Sequence, residues 1–386
     1  MTIAEHLSHT ETHLTPVVPQ VELRPDLFPE KMEAVQKPLL HTTQMIALVA
    51  KGQIEEFQPI PLLDQNLPDA EKKERVKKLD NTAVKVGAQC FEKLSYLAFL
   101  AGCEGLKEDQ DYKGNLQLDT LVGVHGNGEH QVDIVMDPIE GSDGAAHNRE
   151  GTIAIISTGT RGGILPTPEG IRKPEIHYME KLMGPPSLDG IISLDKTVEE
   201  NLQAIVDTLG IKASDIEVTL LDRTRNRKTI EAIERFGGRV KLKGAGDLVP
   251  SLNAMKDKHE DGLIRLVMGV GGWEEGILAA VGAKALGAVS EGRMAEVWKE
   301  DGEEKCEIYP PLLKKDDLAP TLQEHAVVLF TAITDVPELD MVGVDLKNGY
   351  AQCMVIDKDG FHRNGYLFNP DDARGFIDKF KNEKAA

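Results

Sequence analysis

The sequence predicts an α/β protein in which a mixed β-sheet is followed by a largely parallel sheet covered by helices. Segments 117–136 and 152–158 are typical of β-strands, and apolar and polar residues alternate in residues 131–136 (QVDIVM). From residue 216 onward, three short apolar runs are each followed by a segment with helical periodicity, and such strand–helix units build parallel sheets. The 386 residues, 41% of them hydrophobic, suffice for two packed domains or one large one.

The N-terminal part is expected to be mostly helical before the first sheet begins. Residues 1 to about 30 are polar and contain four prolines, which indicates an arm lying on the surface. Residues 31–51 and 70–100 have helical periodicity, and a loop rich in Pro, Gln and Asp separates them. The Gly-Asn-Gly turn at 126–128 predicts a β-hairpin within residues 117–136.

The part of the chain beyond residue 190 is expected to alternate between strands and helices. The predicted strands cover residues 216–221, 239–243, 263–270, 327–333 and 351–357. The predicted helices cover residues 227–236, 248–256 and 274–286. Two consecutive glycines at 237–238 are expected to end the first of these helices.

The net charge argues against several classes of partner. The chain has 44 Lys and Arg against 64 Asp and Glu, a net charge of −20, so a surface for nucleic acid or anionic membranes is not expected. No apolar run is long enough to span a bilayer, and no secretory signal is visible. The four cysteines form neither a CxxC pair nor a disulfide framework. We therefore expect a cytoplasmic protein that binds phosphorylated ligands through a local basic cluster or captured cations.

Polar residues follow each of three consecutive predicted strands. Segment 222–228 (DRTRNRK) carries four cations, and segment 244–247 places Asp247 after two glycines. Segment 271–276 places a pair of glutamates, of which Glu275 is the second, between glycines. Because ligands bind beyond the carboxyl ends of strands in open α/β sheets, these segments are expected to meet at one edge. A solvated charged face is the alternative.

Another candidate site follows the predicted strand that ends near residue 136. In the sequence Asp137-Pro138-Ile139-Glu140-Gly141, two carboxylates stand three residues apart, and the proline favours extended backbone at Asp137. Two carboxylates and a turn carbonyl are the oxygen ligands that Mg²⁺ or Mn²⁺ prefers. A surface turn is the alternative. The hydroxyl that follows, on residue 142, is placed to position a water or to contact a phosphate.

Taken in order, these motifs resemble the class II fructose-1,6-bisphosphatases, metal-dependent members of the inositol-monophosphatase-like sugar phosphatase superfamily. The resemblance covers roughly residues 80–335. It is carried by Asn81-Thr82-Ala83, VDIVMDPIEGS, Tyr178-Met179-Glu180-Lys181-Leu182, VTLLDRTRN, the Gly246-Asp247 turn, GVGGWEEG and VLFTAIT. It implies a layered α-β-α-β-α sugar-phosphatase fold. We divide the chain into an N-terminal, partly flexible extension (1–75), a metal-binding half (76–190) and a sugar-phosphate-binding half (191–386).

The resemblance also implies a reaction and the residues that carry it. The reaction is metal-assisted hydrolysis, with Mg²⁺ or Mn²⁺, of the 1-phosphate of fructose 1,6-bisphosphate and, in some members, of sedoheptulose 1,7-bisphosphate. The implied metal ligands are Glu104, Asp137, the Ile139 carbonyl, Glu140 and Glu275. The implied catalytic residues are Glu104, Asp137 and Ser142, where the family usually has Thr. The implied substrate contacts are Ser142, Tyr178, Arg223, Arg225, Asp247 and Glu275. A homo-oligomer, dimer or tetramer, is typical of the family.

Two positions depart from the family pattern. Val84 stands where the family has an aspartate, and Leu106, three residues after Cys103 in the segment Cys-Glu-Gly-Leu, stands where the family has a second glutamate. A chain with fewer carboxylates would bind fewer cations. The sequence is therefore compatible with a divergent sugar bisphosphatase, with a non-hydrolytic relative that binds a sugar phosphate as a regulatory or binding protein, or with an unrelated nucleotide-binding protein. Cys90 and Cys103 are expected to be structural thiols.

Overall fold

Two sheets and their helices account for the part of the chain that the structure, a computed structural model, describes: residues 32–57, 69–103, 120–123, 131–147, 149–164 and 177–382. Within these ranges the α-helices are α1 (Met32–Ile54), α2 (Asp69–Phe91), α3 (Ser142–Ala146), α4 (Val198–Leu209), α5 (Arg227–Phe236), α6 (Leu248–Ala254), α7 (Trp273–Leu286), α8 (Lys315–Leu318) and α9 (Pro370–Asn382). The strands are β1 (Leu97–Cys103), β2 (Leu121–Val122), β3 (Gln131–Glu140), β4 (Ile153–Thr160), β5 (Tyr178–Gly184), β6 (Ile216–Leu221), β7 (Arg239–Lys243), β8 (Ile264–Gly272), β9 (Val289–Glu300), β10 (Glu303–Lys314), β11 (Val327–Ala332), β12 (Tyr350–Asp357) and β13 (Gly360–Leu367).

The first sheet is mixed and has the strand order β13-β12-β11-β4-β3-β1-β2. Strands β1 and β3 are parallel, and the other neighbouring pairs are antiparallel. Helices α1 and α2 contact each other and pack on strands of this sheet. Leu39, Ile46 and Leu79 of these helices share a buried apolar cluster with Ile134 and Leu329 of the sheet, which removes the apolar face of each helix from water.

The second sheet has the strand order β10-β9-β5-β8-β6-β7. The expected parallel part is present, because β6 runs parallel to both β7 and β8. Strands β5, β9 and β10 complete the sheet in antiparallel fashion, so this sheet is mixed rather than largely parallel. Leu202, Ile205 and Ile233 of helices α4 and α5 pack against strand residues such as Ile216 and Val218.

Helix α7 lies between the two sheets. It contacts β3, β4, β11 and β12 of the first sheet and β5, β8 and β9 of the second. Eleven of its 14 residues are buried, as expected for a helix that is apolar on all sides. With α1 and α2 on one outer face and α4 and α5 on the other, the predicted α-β-α-β-α layering is confirmed.

Two predictions about the first sheet are wrong. Residues 97–100, expected to be helical, belong to β1, whose apolar side chains are almost all buried, as in a central strand covered on both faces. Strand β2 pairs with β1 and not with β3, because β1 lies between the two strands of the expected hairpin. The turn at 126–128 and the N-terminal arm lie outside the described residues. No helix in the described ranges is long and apolar enough to cross a membrane.

Candidate functional site

The end of strand β3 positions Asp137 and Glu140. The register between β3 and β4 shifts between these two residues, and Pro138, which lacks a backbone donor, lies within the shift. Oδ1 of Asp137 accepts a hydrogen bond from the backbone N–H of Ile139 at 2.9 Å. Both side chains are buried. Glu140 is thus the last residue of the strand rather than part of the turn, which begins at Gly141 with a φ of 85°.

Glu140 also contacts the turn that precedes helix α6. The backbone N–H of Leu248 donates a hydrogen bond to Oε1 of Glu140 at 3.1 Å. Gly246, with a φ of 70°, approaches so closely that a Cβ atom built there would lie 2.9 Å from the same oxygen. The turn after β7 and the segment at the end of β3, which are far apart in sequence and belong to different sheets, therefore meet at this site.

A buried lysine joins this turn to strand β8. The Lys181 ammonium donates hydrogen bonds to Oδ1 of Asp247 at 2.6 Å and to the carbonyl of Gly272 at 3.0 Å. The Lys181 and Asp247 side chains are 1% and 5% exposed, so water hardly screens the ion pair. A Cβ atom on Gly271 would lie 2.1 Å from Oδ2 of Asp247 and 2.9 Å from the ammonium nitrogen. Glycine at this position is what allows the pair to form.

The carboxylates of Asp247, Glu275 and Glu140 all interact electrostatically with the Lys181 ammonium. Burial raises the pKa of Glu140, and the carboxylates of Glu275 and Asp247 raise it further. Burial on its own lowers the pKa of Lys181, but the same three carboxylates outweigh it and leave this pKa above its ordinary value. We call Glu140, Lys181, Asp247 and Glu275 the acidic cluster. Its excess of negative charge favours uptake of a proton or a cation.

Arg225 and Tyr178 form a second group beside the same strand. Arg225 donates a hydrogen bond from Nε to the carbonyl of Val270 at 3.1 Å and one from Nη1 to the Glu304 carboxylate at 2.6 Å. Its guanidinium carbon lies 5.0 Å from the centre of the Tyr178 ring, within range of a cation–π interaction. Tyr178 pairs with Gly272 across β5 and β8. The guanidinium group is therefore anchored two residues from the carbonyl that holds the buried ammonium.

The other predicted arginine makes different contacts. Arg223 is half-buried and donates hydrogen bonds to the carbonyls of Asp222 and Gly244, at 2.8 and 2.7 Å. It thereby ties the segment after β6 to the turn after β7. The structure thus places Arg225 beside Tyr178, whereas Arg223 connects two loop segments through hydrogen bonds to their backbone carbonyls.

A cleft of about 200 Å³ opens between the turn after β3 and the turn after β7. Glu140 and Gly141 line one side, and Lys243 and Gly246 line the other. Ser142 is half-buried at the start of α3, next to these residues in sequence. Glu140 of the acidic cluster and the basic residue Lys243 thus line the same cleft.

The expected metal ligands are incomplete within the described residues. Val84 is 2% exposed and belongs to the apolar cluster beneath α2, so this position offers no ligand. Glu104 and Leu106 lie outside the described residues. In the described ranges, no three His, Cys, Asp or Glu side chains converge in a way that could hold a metal ion.

The acids at this edge nevertheless have the right chemistry for a hard cation. Asp137, Glu140 and Glu275 offer carboxylate oxygens, and the acidic cluster carries excess negative charge. Lys181 compensates part of that charge from within. Lys181 belongs to one of the motifs of the family resemblance but was not among the expected site residues, although a lysine inside the apolar strand Tyr178–Gly184 is itself a signal of a buried ion pair.

Comparison with known proteins agrees with the predicted resemblance. Residues 71–364 match the family described as "Bacterial fructose-1,6-bisphosphatase, glpX-encoded". A D-fructose 1,6-bisphosphatase class 2/sedoheptulose 1,7-bisphosphatase of Synechococcus sp. (strain JA-3-3Ab) is 35% identical over 164 residues, 42% of this chain and 44% of that protein. The protein of the same name from Synechocystis sp. (strain ATCC 27184 / PCC 6803 / Kazusa) is 29% identical over 190 residues, 49% of this chain and 50% of that protein. The chain thus spans about half the length of these relatives. Because the family match covers more than half of the chain, the protein belongs to the family of bacterial fructose-1,6-bisphosphatases encoded by glpX.

Proposed function

We propose that this chain hydrolyses a sugar bisphosphate, fructose 1,6-bisphosphate or sedoheptulose 1,7-bisphosphate, and releases inorganic phosphate. The observation that carries the proposal is that strand β8 anchors both the acidic cluster, through Gly272, and the guanidinium group of Arg225, through Val270. Carboxylates suit a cation at the reacting phosphate, whereas a guanidinium group suits a second phosphate. The two groups together match a substrate that carries a phosphate at each end.

A divalent cation, Mg²⁺ or Mn²⁺, is part of this proposal. The family resemblance assigns it to Asp137, Glu140 and Glu275, which do not converge on one point in the structure, so these side chains would have to reorient to hold it together. When bound, such a cation would neutralise the transferring phosphoryl group and lower the pKa of the attacking water. This help matters because phosphate monoesters hydrolyse extremely slowly without a catalyst.

The residues of the chain itself would bind and orient the substrate. Arg225 would hold the second phosphate, which requires the phosphate to compete with the Glu304 carboxylate for Nη1. Tyr178 fixes the plane of the guanidinium group from one side. Lys181 holds Asp247 in place through Oδ1, so that Oδ2 would accept a hydrogen bond from a sugar hydroxyl. Ser142 would orient the transferring phosphate.

A non-hydrolytic relative that binds a sugar phosphate is the second candidate. Two observations favour it: Val84 is buried in the apolar core, and Lys181 compensates part of the charge that would otherwise attract a cation. Under this reading Arg225 and Tyr178 still bind a phosphorylated sugar, and the chain acts through binding alone.

Phosphate release from the two bisphosphates, with Mg²⁺, Mn²⁺ or EDTA, separates the candidates. Under the proposed function, release requires a divalent cation and stops in EDTA. Asp137→Asn should then lower kcat by about a hundredfold or more, because losing even an outer-sphere partner of a metal typically costs 10- to 100-fold. Asp372→Asn, at an exposed position of α9, is the matched control and should leave kcat unchanged.

Calorimetric titration with the same sugars completes the experiment. Binding without turnover on either substrate and with either metal would reject the phosphatase in favour of the binding protein. Turnover that survives Asp137→Asn would instead reject the metal role of this carboxylate.

A further inference from the structure

A larger cleft, of about 890 Å³, lies at the other end of helix α6. Helix α6 begins next to Asp247 in the acidic cluster. The cleft is lined by Asn253 in the last turn of this helix, by Lys256 and by the segment that leads into β8. Residues of β7, of β13 and of the 337–340 segment form the other walls. The volume lies within the range of small-molecule sites. The cleft uses none of the residues to which the proposed function assigns a role.

The cleft is richer in available positive charge than in available negative charge. Three of its acids are paired with basic side chains: Asp261 with Arg265, Glu338 with Lys241, and Asp340 with Arg363. Lys256 and Lys258 have no acidic partner at ion-pair distance within the described part of the chain. The remaining acid of the wall, Glu260, is exposed to water. An anionic ligand would therefore find two lysines whose charge is not already paired.

Lys256 is the more enclosed of these two lysines. Its ammonium lies 5.4 Å from the centre of the Phe361 ring. Burial lowers the pKa of Lys256; Asp340 opposes this effect, and the guanidinium groups of Arg265 and Arg363 add to it. Burial is thus the main cost to the charge of this ammonium, and a bound anion would offset it.

Two buried polar atoms of the cleft lack a hydrogen-bond partner within the described residues. They are Oδ1 of Asn253, whose side chain is more than nine-tenths buried, and Nε2 of His259. Burial, followed by the charges of Arg265 and Lys256, lowers the pKa of His259 to about 4, so its ring is neutral at pH 7. Native proteins rarely leave such buried atoms without a hydrogen-bond partner, because removing a polar atom from water without a new partner is unfavourable. These atoms indicate a polar ligand rather than an apolar one.

We propose that this cleft binds a phosphate ester of a small hydroxylated molecule, at a site separate from the candidate active site. The ammonium groups of Lys256 and Lys258 attract the phosphate, and the neutral ring of His259 donates a hydrogen bond to one of its oxygens. The side-chain oxygen of Asn253 accepts a hydrogen bond from a hydroxyl of the ligand. Phe361 borders the apolar part of the cleft, against which the carbon skeleton packs.

Labelling with pyridoxal 5′-phosphate tests this site on the full chain. The probe carries a phosphate, a hydroxyl and an aldehyde; the aldehyde condenses with an unprotonated lysine amine to an imine and water, and borohydride reduces the imine to a stable amine. Peptide mapping then locates the label, so binding at the candidate active site is scored separately. Lys256 should be labelled at least about tenfold faster than Lys379, an exposed lysine of α9, because binding of the phosphate in the cleft would hold the aldehyde of the probe next to the Lys256 amine.

Competition experiments and variants distinguish a phosphate-binding site from a lysine amine that is reactive for other reasons. Inorganic phosphate should slow labelling of Lys256, and potassium chloride at equal ionic strength should not. Pyridoxal, which lacks the phosphate, should show at most a small preference for Lys256. Asn253→Asp places a carboxylate in the cleft and should slow labelling there, and Lys258→Met, at an exposed position, should do the same. Equal labelling by the two aldehydes, or equal protection by phosphate and chloride, would overturn the proposal.

Discussion

The Lys181 ammonium lies 2.6 Å from Oδ1 of Asp247 and ties the turn after β7 to strand β8. The pair is almost completely buried, and two further carboxylates, those of Glu140 and Glu275, act on the same ammonium. This ion pair holds the two segments together, because each of its charges is buried away from water and is stabilised by the other. The pair can therefore be tested without any assumption about the reaction.

Lys181→Met should lower the free energy of unfolding by about 3–5 kcal/mol, the usual cost of leaving one buried charge without its partner. Urea unfolding followed by circular dichroism measures this change. Asp247→Asn added to Lys181→Met should restore part of the loss, because it removes the charge that was left unpaired. If the two substitutions were simply additive, the pair would not be coupled in the way that the structure indicates.

Gly271→Ala should destabilise the protein by at least about 2 kcal/mol, as overpacking of a well-filled interior does. The added carbon would lie 2.1 Å from Asp247 and 2.9 Å from the Lys181 ammonium, and both of these groups are buried. Gly375→Ala is the matched control, since Gly375 is exposed on α9 and its added carbon would point into open space. That change should be neutral or slightly stabilising. Equal melting temperatures for the two variants would contradict the close approach at Gly271.

Local sequence patterns predicted the strand–helix units β6-α5, β7-α6 and β8-α7, because each strand is a short run that ends at glycine or charged residues and is followed by a segment with helical periodicity. They also predicted that the segments after β6, β7 and β8 lie at one edge, since ligand sites form at the carboxyl ends of strands, whereas only the family resemblance placed the turn after β3 in the same site. The pairing of β2 with β1 rather than with β3 was not predictable from the alternation of apolar and polar residues alone. An apolar run of seven residues suits a helix or a central strand equally well, and only long-range pairing decides between them.

The ion pairs of the site were also beyond the reach of sequence patterns. Lys181 and Asp247 are 66 residues apart, and Arg225 and Glu304 are 79 apart. Nothing in a local window shows that such residues meet. The family resemblance pointed to Arg223 and Arg225 together, and the geometry distinguishes them, because Arg225 lies beside Tyr178 whereas Arg223 bridges two backbone carbonyls.

Arg225→Ala should weaken binding of the sugar bisphosphate by about tenfold or more, since a hydrogen bond between charged groups is worth about 1.5–3 kcal/mol. Glu304→Gln should have the opposite effect, because it removes the carboxylate that competes with the substrate for Nη1. Calorimetric titration measures both without requiring turnover. Arg235→Ala removes an exposed arginine of α5 and should leave the affinity unchanged. A loss of affinity in Glu304→Gln would show that this pair orients the arginine rather than competing with the substrate.

Asp133 should make the stability of the protein depend on pH. Its side chain is fully buried in β3, where it accepts hydrogen bonds from Arg161 at 2.9 Å and from the backbone N–H of Ile164 at 3.1 Å. Burial raises its pKa from 3.8 to about 6, although Arg161 and the backbone donors oppose the shift. Because the folded state binds the proton more tightly than the unfolded state, the stabilisation is complete below pH 3.8 and is lost as the pH rises through 6.

The size of this effect follows from the shift, at about 1.4 kcal/mol per pKa unit. Between pH 4 and pH 7, the free energy of unfolding of the wild type should fall by about 2–3 kcal/mol relative to that of Asp133→Asn, which has no proton to lose. Urea unfolding of both proteins at each pH gives the difference directly, and the other titrating groups cancel in it. A difference that stayed constant, or that grew in favour of the wild type as the pH rose, would mean that the Arg161 ion pair outweighs burial and that the carboxyl is ionised at pH 4.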